Sequence, residues 1–170
     1  AVCEPTIGKC LPQKPPIACE YKPPVGALSP TLEWSWTTST IKPTFHQVIN
    51  TPLVVDLDKD GVPDVVIVTS DNFDGAGNAY LRALDGKTGL EKWTAQADVY
   101  LDANRVNPRA TPAVGDIDGD GFPEIVTAKA GGGVIAFEHD GKLKWKATQA
   151  DGTTAFTKGF NSVTTALADL

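Results

Sequence analysis

The sequence lacks most of what marks a membrane protein, a nucleic-acid binder or a hydrolase. Hydrophobic residues make up 41% of the 170, but no apolar run approaches the ~18 residues of a membrane-spanning helix. Lys and Arg number 15 against 21 Asp and Glu, a formal charge of −6 with no basic stripe. That balance argues against a polyphosphate partner. There are only two histidines, His46 and His139, and neither sits in a motif. No Gly-x-Ser-x-Gly elbow and no His-Glu-x-x-His pair is present. The run Gly131–Gly133 lacks the Lys-Ser/Thr of a phosphate loop and reads as a turn. The acid pairs Asp71/Asp74 and Asp98/Asp102 lie in turn-rich stretches, where Asp is first a turn former. Arg105 and Arg109 fall in the irregular stretch 98–110 and read as part of a solvated connection. With no nucleophile–base constellation, we expect no enzyme.

Negative charge, by contrast, is concentrated. Residues 56–64 (DLDKDGVPD) place acids at positions 1, 3, 5 and 9 and Gly at position 6, and residues 116–124 (DIDGDGFPE) repeat the pattern. These two loops hold eight of the 21 acidic residues. Such a loop repels itself unless a cation sits in it, and Ca2+ takes six to eight hard oxygen ligands of this kind. The expected ligands are Asp56, Asp58, Asp60, the Val62 carbonyl and Asp64 in the first loop. In the second they are Asp116, Asp118, Asp120, the Phe122 carbonyl and Glu124. Two bound ions would bring the formal charge from −6 to −2. The loops are not EF-hands: position 12 is Ile67 or Thr127 instead of Glu, and the flanks are β-branched runs, not helices. A solvated Asp-Gly turn would explain one copy, but not the recurrence. A third copy begins at Asp169.

Residues 1–30 hold seven of the 13 prolines and all three cysteines, Cys3, Cys10 and Cys19. They read as an extended arm, with residues 31–170 forming the folded part. Clustered cysteines away from any zinc spacing suggest disulfides and a secreted protein, with one thiol left over. Localisation is expected to be extracellular or at the cell surface, the periplasm being the other oxidising compartment. No signal peptide is visible at Ala1-Val2-Cys3, so the chain reads as already processed.

Along the rest of the chain, residues 32–40 alternate as a half-buried strand would. Two units follow, at about 51–95 and 111–147, each a strand, the acidic loop and three more strands joined by short turns. A third unit starts at residue 164. The loops begin 60 and then 53 residues apart, and Trp34, Trp93 and Trp145 precede successive loops by 22, 23 and 24 residues. A four-stranded repeat of this length predicts β-propeller blades: an all-β fold of antiparallel sheets, two full blades plus flanking strands. A closed propeller needs at least four blades. The expectation is therefore a fragment of a larger propeller, completed by the rest of its own chain or by partner chains.

These motifs resemble the FG-GAP/VCBS-type repeats of integrin α-like propellers over residues 51–170, through the acidic loop followed by a β-branched strand. The resemblance implies structural Ca2+ between the first two strands of a blade. The family's Phe-Gly and Gly-Ala-Pro signatures are missing, residues 73–77 (FDGAG) being only a loose echo. Residues 83–93 (ALDGKTGLEKW) are also similar to the tryptophan-docking motif of pyrroloquinoline-quinone-type propellers, and residues 136–145 (AFEHDGKLKW) to a version one residue shorter. That likeness implies a Trp packed between blades, and no quinone chemistry. Three functions fit: a binding or adhesion module for a protein or glycan, a non-catalytic part of a carbohydrate-active enzyme, or a self-assembling structural subunit. The first is favoured, because a fold alone confers no chemistry.

Overall fold

The computed structural model describes residues 2–4, 9–11, 29–72, 77–95, 101–154 and 163–168. The chain divides into two compact units, Ala1–Leu32 and Glu33–Leu170. In the first, β1 (Val2–Glu4) and β2 (Lys9–Leu11) pair antiparallel with Cys3 directly opposite Cys10. Among its described residues, the proline-rich segment thus contains a short antiparallel strand pair. Cys19 and Asp169 lie outside the described residues.

The second unit is built on two antiparallel sheets. Its strands are β3 (Gln47–Val48), β4 (Leu53–Val55), β5 (Asp64–Ser70), β6 (Ala79–Asp85), β7 (Glu91–Thr94), β8 (Ala110–Thr111), β9 (Ala113–Gly115), β10 (Glu124–Ala128), β11 (Val134–Phe137), β12 (Leu143–Lys146) and β13 (Val163–Thr164). The first sheet runs β4, β5, β6, β7, with β3 extending the β4 edge of β5. The second runs β9, β10, β11, β12. Each is a meander, which is what short turns between consecutive β-branched runs dictate. β8 and β13 form a separate parallel pair. The described helix is one 3-10 turn, Leu101–Asn104. The expected all-β, antiparallel architecture is what the described residues adopt, with the first sheet five-stranded because β3 joins it.

Alternation along the strands sorts the core. Val66, Val68, Leu81, Ala83 and Trp93 share one face of the first sheet, by the registers Val66↔Ala83, Val68↔Leu81 and Ala83↔Trp93. That face belongs to one apolar cluster with Ile125, Ile135 and Phe137 of the second sheet, sealed by Leu57 and Val106. The sheets are therefore layered face to face.

The other face of the first sheet is covered by residues 35–45. Residues 31–39 carry no strand ladder, which departs from the strand expected at 32–40. Side chains hold the segment instead. Phe45 meets Tyr80 edge to face at 4.7 Å, and the buried Arg82 donates to the carbonyl of Ile41 at 2.8 Å. With no neighbouring strand, its buried carbonyls take a guanidinium as donor.

Candidate metal centres

Both acidic loops sit where a first strand turns into a second: β4 into β5 and β9 into β10. Local geometry explains their shape. Gly61 and Gly121 adopt φ of +88° and +92°, the left-handed turn that folds each loop back on itself. Position 4 is left-handed as well, filled by Gly119 in the second loop and by Lys59, at φ +60°, in the first. The amide of Gly61 donates to Asp56 Oδ2 at 3.0 Å and that of Val62 to Asp60 Oδ1 at 2.7 Å. The second loop repeats both bonds, Gly121 to Asp116 Oδ2 at 2.9 Å and Phe122 to Asp120 Oδ1 at 2.7 Å.

The effect is to converge three carboxylates in each loop. Asp56, Asp58 and Asp60 each bring an oxygen within 4.8 Å of the others, as do Asp116, Asp118 and Asp120. Oδ1 of Asp56 is shielded from solvent and has no hydrogen-bond partner. A buried carboxylate oxygen without a donor is costly unless a cation takes it. The hard-oxygen donor set and this orphaned atom fit Ca2+.

The acids at position 9 are placed differently from the other three. Asp64 and Glu124 are fully buried and lie outside the three-carboxylate groups. Asp64 Oδ2 accepts the Leu57 amide at 3.2 Å, and Glu124 Oε2 accepts the Ile117 amide at 2.8 Å, so each braces the second residue of its own loop. The remaining valence is met by lysine. Lys92 Nζ lies 2.9 Å from Asp64 Oδ1 and 2.6 Å from Asp58 Oδ2. Lys144 Nζ lies 3.3 Å from Glu124, 2.6 Å from Asp118 and 3.0 Å from Glu138. Burial pushes the Asp64 carboxyl up, with the Lys92 hydrogen bond opposing it. Hydrogen bonds from lysine hold Asp58 and Asp118 below the usual range. Burial acts to lower Lys92, but Asp58 and Asp64 outweigh it and leave its pKa raised; Lys144 is raised first by Asp118. Sequence reasoning missed both lysines, although the signal was there: each stands one residue before a repeating Trp.

The loops are neighbours. Lys59 Nζ of the first lies 4.8 Å from the Phe122 ring centroid of the second, and Phe122 stacks on His139 at 4.4 Å. Around them the tryptophans repeat one contact. Trp34 Nε1 donates to the Gly86 carbonyl at 2.9 Å, beside the turn at Gly89, and Trp93 Nε1 donates to the His139 carbonyl at 3.0 Å, beside Gly141. Trp145 makes no such contact with a described residue and is 39% exposed.

The other candidates have quieter places. His46 is within 3.1 Å of the Pro43 carbonyl. Asp102 is held by the Tyr80 hydroxyl at 2.6 Å and by Lys42 at 3.1 Å, apart from any second acid of the described chain within that contact set. Asp74 and Asp98 lie outside the described residues. An open groove of about 660 Å³ runs between residues 35–41 and 89–94, with Trp36, Leu90, Lys92 and Trp93 in its walls. Among the described residues no helix is long and apolar enough to cross a membrane.

Layered four-stranded meanders, each carrying an acidic loop between its first two strands, define a class of acidic-loop β-repeat proteins. Residues 56–127 match the family model of the FG-GAP-like repeat, so the resemblance read from the acidic loops holds. The chain is also similar to a solved structure, the crystal structure of the V. cholerae biofilm matrix protein Bap1, with 32% identity over 71% of this chain and a TM-score of 0.58. It spans 21% of that protein's length. No curated protein matches the chain.

Proposed function

We propose that the chain is part of an extracellular, calcium-stabilised β-propeller that acts as a non-catalytic adhesion or matrix module. The observation that carries this reading is the repetition of one three-carboxylate loop at the same place in two successive sheets. A metal serving chemistry needs one site with an open position beside substrate groups. Two equivalent sites at strand junctions suit a structural clasp. Ca2+ would be held by Asp56, Asp58 and Asp60 and by Asp116, Asp118 and Asp120, and would supply there only charge neutralisation and rigidity. Similarity to a biofilm matrix protein supports the extracellular setting and a protein or glycan ligand, for which the 660 Å³ groove beside Trp36 offers room.

Further blades of the same kind complete the propeller on this reading. One loop position differs between the sheets: Leu57 is 1% exposed and its counterpart Ile117 38%. Trp93 docks on the next turn, while Trp145 has no described turn to dock on.

The test uses the full-length protein. Calorimetric titration should show Ca2+ binding to loops that Asp58→Ala and Asp118→Ala weaken. Retention on biofilm polysaccharide or a matrix protein should be lost in chelator. Retention indifferent to both chelator and these substitutions, or hydrolysis of the polysaccharide, would overturn the proposal.

A further inference from the structure

We infer that Lys92 and Lys144 are resident counter-cations of the two acidic loops, and that they set how much each loop depends on Ca2+. The inference rests on the calcium reading above and concerns this chain's own residues. Each loop carries four carboxylates, but the structure sorts them into two compartments. Three converge toward the surface, while the fourth, Asp64 or Glu124, is fully buried behind them. The third-position acid stands between the two. Its Oδ2 contacts lysine at 2.6 Å in both loops, through Asp58 to Lys92 and through Asp118 to Lys144. The same ammonium reaches the buried acid, at 2.9 Å for Asp64 and 3.3 Å for Glu124.

Both lysines come from the fourth strand of the meander, one residue before the repeating Trp. The strand pairing that seats the sheet therefore delivers the cation to the loop. The arrangement has two consequences. Without metal, the lysine neutralises the one acid that cannot reach water, so the loop keeps its shape. With metal, it competes for the shared third-position carboxylate and repels the incoming ion. Lysine thus exchanges affinity for metal-independent stability. The loops are not equivalent in this. Lys92 divides its charge between two carboxylates and Lys144 among three, Glu138 being the extra one at 3.0 Å.

Lys92→Met and Lys144→Met, made separately in the intact chain, test this, with Lys92→Arg as the charge-retaining control. Calorimetric Ca2+ titration and thermal melts in chelator and in saturating Ca2+ are the readouts. Each Met variant should tighten Ca2+ binding at its own loop roughly tenfold, the effect of removing a unit charge a few Å from a divalent ion at a surface site. Its melting temperature in chelator should fall, with saturating Ca2+ restoring most of the loss. Lys92→Arg should stay near wild type in both. A Met variant that melts low in chelator but binds Ca2+ no better than wild type would overturn the inference, since the lysine is then a structural tether alone. So would a variant that Ca2+ does not rescue. If neither wild type nor variants bind Ca2+, the calcium reading fails by itself. A chelator melt equal to wild type in the Met variants would sink the counter-cation role separately. Lys144→Met guards against a Lys92→Met chain that does not fold.

Discussion

Gly141 gives the sharpest test of how the two sheets are joined. It sits at φ +81°, and a Cβ built there would lie 2.8 Å from the Trp93 ring. Gly131 has the same φ of +81° with nothing within 4 Å of a built Cβ. The pair separates backbone strain from docking. Gly131→Ala should cost only the left-handed penalty of about 1–2 kcal/mol. Gly141→Ala should cost that plus the roughly 1–3 kcal/mol of forcing a side chain into a packed contact. Trp93 cannot easily yield, since its indole is also held by the His139 carbonyl at 3.0 Å. The difference between the variants should therefore be about 1–3 kcal/mol, or some 3–10 °C in melting temperature for a unit of this size. In a Trp93→Leu background the extra cost should vanish, giving a coupling of the same size. Urea denaturation followed by far-ultraviolet circular dichroism measures all of these without relying on tryptophan emission. Equal costs for Gly131→Ala and Gly141→Ala, or a cost that survives Trp93→Leu, would refute docking as the joint between the sheets.

Three other outcomes follow from the same geometry. Arg82→Met should destabilise by about 3–5 kcal/mol, because it leaves Glu91 half-buried and without its cation, and Arg82→Met with Glu91→Leu should recover much of that in chemical denaturation. Asp85 is held below the usual carboxylate range by the Thr88 hydroxyl and amide, and Asp102 by the Tyr80 hydroxyl and Lys42. Their folded pKa values lie below the unfolded value of about 3.9, so their stabilisation is full above that pH and is lost as pH falls below it; Asp85→Asn and Asp102→Asn should flatten the acid limb of a melting-temperature profile, and an unchanged limb would exclude them as its source. Finally, Trp145 fluorescence should be quenched by acrylamide in the 170-residue chain and protected in a polypeptide that adds a further blade after it, measured in a Trp34→Phe, Trp36→Phe, Trp93→Phe background; equal quenching would remove the case for a blade docked there.

The repeated features were legible because repetition separates signal from local preference. The acidic loops, their glycines and the two four-stranded meanders could all be read from spacing, since β-branched runs between turn residues admit little else. The strand expected at 32–40 is not there. Alternation of Trp34, Ser35 and Trp36 records which side chains face the sheet, but a ladder also needs a neighbouring strand, and the sequence pattern carries no information on that. The position-9 acids were grouped with the other three from loop spacing alone. Their buried amide and lysine contacts depend on the return of β7 and β12, strands that lie 27 and 19 residues after Asp64 and Glu124. Arg82 was passed over within an apolar strand, although one charge at the centre of residues 79–84 (AYLRAL) is itself a sign of a buried polar partner.

Arg82 also marks where the two repeats stop being copies. By strand register it corresponds to Ile135, since Ala83 pairs with Trp93 as Ala136 pairs with Trp145. In the first sheet Arg82 contacts the Thr69 hydroxyl at 2.9 Å, that of Thr94 at 2.5 Å, Glu91 at 3.4 Å and the Ile41 carbonyl at 2.8 Å. In the second sheet the counterpart faces the first sheet and is purely apolar, Ile135 lying fully buried with Phe137 and Ile125. The difference follows from what each face meets. A sheet face brings alternating apolar side chains, with its own backbone already paired, so Ile suffices. The segment 35–45 brings carbonyls outside any strand ladder, that of Ile41 among them, and a guanidinium reaches several groups at once. The lysine, glycine and tryptophan positions recur in both sheets, where the lysine of the fourth strand reaches the acidic loop. Arg82 has no equivalent in the second sheet because its counterpart there, Ile135, meets the first sheet instead of a cap of irregular chain. The groove between residues 35–41 and 89–94 lies along that same cap. The surface that differs between the two sheets lies there, and not at the acidic loops that both share.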